Sequence, residues 1–192
     1  MELLHRGVLV VACGNTLRGD DAVGPEVGEL LAARLDGTGA SVIVSDQLLP
    51  ELADDASRAR LVVIVDAAAD RPVGSVSVRA LAPRRTTDAV AGAGPADGEA
   101  ARPPGPFSHG MGPEDLLALT RDLYAATPDA VLVSVGAESL EPGAELSESV
   151  RLAIPRAVEV VLQVILEGTR DHEIHQLILS RKNENVKGGV IR

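Results

Sequence analysis

Apolar residues along this chain come in blocks. Three of them, GVLVVAC (7–13), LVVIVDAAA (61–69) and AVLVSVGA (130–137), are almost continuously apolar and rich in β-branched side chains. Such runs read as strands covered on both faces, as in a parallel sheet. SVIVSD (41–46) reads as a fourth strand, and the alternating SVSVRAL (75–81) as an edge strand with one wetter face. Helical spacing fills the intervals. Val23, Val27, Leu30, Leu31 and Leu35 mark a first helix, and Pro50 opens a short one, PELADDAS. In GPEDLLALTRDLYAAT (112–127), Pro113 suits the first helical position, with Glu114 and Asp115 at the positive end of the dipole. Ser147 can cap a long helix whose apolar face is Val150, Ile154, Val158, Val161, Leu162 and Ile165, and Pro155 is expected to kink it.

Strands alternating with helices predict one three-layer α/β/α domain over residues 1–168, with a mostly parallel, twisted central sheet of about five strands flanked by helices. Ligands of such sheets bind beyond the carboxyl ends of the strands. Residues 82–106, rich in Ala, Gly and Pro, read as a mobile surface loop. Residues 169–192 differ in composition, with five basic against three acidic residues, and read as a tail of uncertain order.

The 192 residues suffice for a sizeable core. A net charge of −10 repels a phosphate backbone, and one Tyr, one Phe and no Trp leave little to stack on bases, so nucleic acid is excluded as a partner. The single cysteine, Cys13, forbids an internal disulfide and a Cys-rich zinc cage, and reads as a buried packing thiol. No run is long enough to span a membrane and no secretory cleavage pattern is present, which predicts a cytoplasmic protein with no membrane partner.

The first turn, GNTLRGDDAVG (14–24), lies where a phosphate-binding loop would, yet it carries adjacent carboxylates, Asp20 and Asp21. Phosphate loops use backbone N–H groups and avoid negative charge, and G-x-G-x-x-G is absent, so a cation is the better guest. Gly14, Gly19 and Gly24 allow a tight turn and close approach of another segment. Asp66 ends the run VVIVD at the same sheet edge, and His109 precedes a helix start in PFSHGMGPEDLL. Singly, each has a bland reading: a helix cap for Asp20 or Asp21, a loop brace for Asp66, a solvated imidazole for His109. Together, oxygen and imidazole donors suit a borderline divalent ion such as nickel or zinc, or can position a water for hydrolysis.

The segment ACGNTLRGDDAVGPEV resembles the N-terminal signature of the hydrogenase maturation endopeptidases. The resemblance continues, in the family's order and spacing, through VVIVDAAA, SHGMGPEDLLAL and SVGAESLEPGAELSESVRLAIPRAVEVVL, over about residues 7–167. It implies a peptidase that removes the C-terminal extension of a nickel–iron hydrogenase large-subunit precursor after nickel insertion. Asp21, Asp66 and His109 then match the family's metal-binding and catalytic positions, with Asp20 as a supporting residue behind them. Gly14, Asn15 and Asp46 are candidates for substrate binding. Hydrolysis would be of aspartic type or metal-assisted, and the nickel is carried by the substrate. In the isolated protein another divalent ion, zinc or cadmium, could take its place. Asp21 stands where some members have Glu, SDQLLPEL replaces a glycine-containing turn, and the 82–106 segment and the tail have no family counterpart.

Three other classes compete. A nickel-binding chaperone for hydrogenase assembly could use the same ligands without cutting, and His172 and His175 in HEIH lend it slight support. A nucleotide-binding module meets the charge objection above. Ser108 beside His109 lacks a G-x-S-x-G elbow and H-E-x-x-H is missing, which disfavours serine hydrolases and conventional zinc proteases.

Overall fold

The computed structural model describes residues 7–84 and 111–168. Five strands form one sheet: β1 (Val8–Cys13), β2 (Ser41–Ser45), β3 (Leu61–Ala68), β4 (Val76–Leu81) and β5 (Asp129–Gly136). Their order across the sheet is β2-β1-β3-β5-β4. All neighbours are parallel except β4, which pairs antiparallel with β5 at the edge. The run of residues 75–81 is therefore the edge strand its alternation implied. β1 and the first five residues of β3 are wholly buried, as their unbroken apolar runs require.

Helices α1 (Val23–Leu35) and α4 (Glu148–Gly168) cover one face, and α2 (Leu52–Arg58) and α3 (Pro113–Tyr124) the other. Alternation along each strand splits the core in two. Val8, Val10, Ala12, Val63 and Val65 pack under α1 and α4, while Leu9, Val11, Cys13, Val62 and Ile64 pack under α2 and α3. The α4 stripe is buried at Val150, Ile154, Val158, Val161 and Ile165, with Leu162 partly buried beside it. α4 runs unbroken through Pro155. That proline is on the exposed side, where water can satisfy the Arg151 carbonyl left without its N–H donor. Ser147 caps α4, its Oγ accepting the Val150 N–H at 3.4 Å.

From β1 the chain crosses to β2 on one side and then to β3 on the other side of β1; from β3 it passes to β4 at the far edge and returns to β5 between them. The order reverses between β1 and β3, and such a switch point opens a crevice at the carboxyl ends of the two strands. Of the 82–106 segment only residues 82–84 are described, and the tail lies outside the described residues with His172 and His175.

Candidate functional site

β1 ends at Cys13, and its register with β3, Ala12 opposite Val65, sets Cys13 level with Asp66 on the next strand. Both residues share the parity of Val11 and Ile64, so both side chains lie on the α2/α3 face. Beyond that level β3 continues paired only with β5, from Asp66 opposite Ser134 to Ala68 opposite Gly136. β1 leaves the sheet here because Gly14 takes φ of +148° and the chain turns toward α1. A side chain on Gly14 would collide with the Asp21 carbonyl, and one on Gly24 would place Cβ 1.8 Å from the Cys13 carbonyl oxygen. The glycines thus let the turn fold back against the end of its own strand.

Asp21 belongs to this folded-back turn. Its Oδ2 accepts the Asn15 N–H at 3.0 Å, closing the turn on itself, and it stays half-buried. Asn15 Oδ1 in turn accepts the Leu17 N–H at 2.9 Å. Asp66, also half-buried, accepts the N–H of Ala67 at 2.9 Å. The Cys13 thiol reports on both: burial first, then the negative charges of Asp66 and Asp21, pushes it up to about 12. Asp66 ends level with Cys13 on the neighbouring strand, and Asp21 lies in the turn that follows β1. The sulfur itself is buried and protonated, as a packing thiol is.

Asp20, next in sequence to Asp21, has the opposite surroundings. It is fully buried. Its Oδ2 accepts the N–H groups of Glu138 at 2.7 Å and Ser139 at 3.1 Å and the Ser147 hydroxyl at 3.0 Å; Oδ1 accepts the Ser147 N–H at 2.7 Å. Burial alone would push this carboxyl up, but the four donors outweigh it and hold the group below its ordinary value of 3.8. Three backbone bonds accompany the clamp: Gly19 N–H to Ala144, Asp20 N–H to Ser139 and Gly143 N–H to Leu17. The first turn and the 138–147 loop before α4 are therefore stapled together. Neither Asp20 nor Asp21 caps α1, which has no side-chain cap at all. The clamp was not legible in the sequence, since its partners lie 118–127 residues away.

Among the other candidates, Gly14 donates its N–H to the Ser45 carbonyl at 3.1 Å, tying the turn to β2. Asp46 is exposed just past the end of β2, on the same edge of the sheet. His109 lies outside the described residues; Met111, two residues on, packs on the α2/α3 face that also holds Cys13. Among the described residues, no three His, Cys, Asp or Glu side chains are grouped to hold a metal ion.

No family model matches the chain. Among curated proteins, protein FrxA of Pyrococcus furiosus is 43% identical over 63 residues, which is 32% of this chain and 46% of that protein, so the match spans about half of FrxA. Among solved structures, the [NiFe] hydrogenase maturation protease HycI from Thermococcus kodakarensis superimposes with a TM-score of 0.62 at 23% identity, covering 85% of this chain and 93% of that one. The hydrogenase 2 maturation peptidase of a Thaumarchaeota archaeon gives 0.55 at 26% identity, covering 82% and 97%. The chain has the fold of the hydrogenase maturation peptidases. That maturation-peptidase fold and the resemblance of the four sequence segments point the same way. Among the described residues, no helix is long and apolar enough to cross a membrane.

Proposed function

We propose that this protein is a cytoplasmic endopeptidase that removes the C-terminal extension of a nickel–iron hydrogenase large-subunit precursor once nickel has been inserted. What supports the reading is the fold, shared with proteins named as hydrogenase maturation proteases, together with Asp66 at the carboxyl end of β3, level with the end of β1, and Asp21 in the turn that follows β1. In this reading Asp21, Asp66 and His109 ligate the nickel held by the precursor, and that ligation sets the scissile peptide beside the carboxylates. A water polarised by the ion, or deprotonated by one of the carboxylates, attacks the peptide carbonyl, and the departing amine takes up a proton. Asp46, Gly14 and Asn15 line the approach of the extension. Carboxylate and imidazole donors suit nickel, and with no cysteine among the ligands the isolated protein holds such ions weakly.

The test is to incubate the protein with nickel-loaded and nickel-free precursor and weigh the products. Cleavage of the loaded precursor alone is expected, and free nickel added to the assay should not substitute. Equal cleavage of both rejects nickel recognition. Stoichiometric nickel binding with no cleavage rejects the peptidase in favour of a nickel-carrying assembly factor. Asp21→Asn should abolish cutting with the melting temperature nearly unchanged, because Asp21 is half-buried and one acceptor oxygen remains for the Asn15 N–H.

A further inference from the structure

Leu17 is 74% exposed, more than any other large hydrophobic residue among those described. Lone exposed leucines are ordinary on protein surfaces. This one differs in how its backbone is held. Its N–H donates to Asn15 Oδ1 at 2.9 Å and its carbonyl accepts the Gly143 N–H at 2.8 Å. The residue before it in this network, Asn15, is bonded to the Asp21 carboxylate, and the residues after it, Gly19 and Asp20, are stapled to the 138–147 loop. A leucine on a loose loop can fold down onto apolar surface. Here these backbone bonds hold the turn in place, and the side chain stays in water in the same turn that carries Asp21. The space over its backbone partner is open too, since a Cβ built on Gly143 would meet nothing within 4 Å.

An exposed apolar side chain on a backbone-held turn that also carries Asp21 has a clear use. Carboxylates can ligate an ion and activate water, but they offer an extended peptide no apolar contact to set its register. We infer that Leu17 is a specificity-determining residue: it packs against an apolar side chain of the precursor segment flanking the bond to be cut. The inference rests on the peptidase reading above. Because the backbone of the turn is already held, docking orders only the side chain, so much of the leucine's burial appears as binding.

The test measures cleavage of a nickel-loaded large-subunit precursor by Leu17→Ser, Leu17→Met and Leu123→Ser. Leu123 is a 65% exposed leucine in the last turn of α3, toward the opposite edge of the sheet. For Leu17→Ser, KM should rise about ten-fold or more, with kcat within about two-fold and an unchanged melting temperature. Leu17→Met should recover KM to within about three-fold of the parent, and Leu123→Ser should match the parent. An unchanged KM in Leu17→Ser, or the same rise in Leu123→Ser, overturns the inference while leaving the peptidase intact. Failure of the parent protein to cut the loaded precursor overturns the peptidase reading, and this inference with it.

Discussion

Replacing Asp20 by Asn keeps the shape of the side chain and removes its charge. Asp20 Oδ2 accepts three hydrogen bonds and Oδ1 accepts one, from four donors in the 138–147 loop. With the amide oxygen in the Oδ2 position, three bonds survive but fall from charge-assisted to neutral, a loss of about 1 kcal/mol each before non-additivity. The amide nitrogen then faces the Ser147 N–H, and a buried donor left without an acceptor costs about 1–3 kcal/mol. Since these terms do not simply add, a loss of about 3 kcal/mol is expected, or roughly 6–12 °C in melting temperature for a domain of this size. The pH dependence supplies a second reading. The folded carboxyl lies below its ordinary 3.8, so its contribution is complete above that value and is lost as pH falls through the folded pKa. Urea unfolding followed by circular dichroism at a series of pH values checks both. The gap between parent and Asp20→Asn should be widest near neutrality and narrow in acid. A difference under about 0.5 kcal/mol at neutral pH, or a gap that does not change with pH, would refute the clamp.

Two further outcomes follow from the packing. Gly24→Ala forces Cβ into the Cys13 carbonyl and should cost at least about 3 kcal/mol, whereas Gly37→Ala, with φ of +70° and nothing within 4 Å, should cost only about 1–2 kcal/mol of backbone strain; equal melting temperatures would contradict this ranking. Cys13 should react with a thiol reagent at least about 100-fold more slowly in the native protein than in urea near pH 8, because it is buried and its thiol is pushed up to about 12. The unfolded thiol ionises near its ordinary value of 9.0 while the folded one does not, so the Cys13 contribution to stability should decline as pH rises above about 9; a Cys13→Ala variant that keeps the same alkaline decline would contradict it.

Much of the architecture was written in local pattern. Continuous β-branched runs form covered strands, and Val150 to Ile165 at helical spacing form a helix with one buried stripe, so the three-layer class followed from the sequence. The resemblance of four segments also named Asp21 and Asp66, and the register of β1 with β3 sets Cys13 level with Asp66. Local pattern could not say which neighbouring strands would flank the crevice, because strand order depends on which way each crossover turns. Nor could it separate Asp20 from Asp21, identical side chains one residue apart. The direction of the turn sends one carboxylate into the interior, toward donors more than a hundred residues away, and leaves the other half-buried and bonded within its own turn. Hydrogen bonds between such distant segments have no signature in the residues next to either partner, and they exist only once the sheet has brought the loops together.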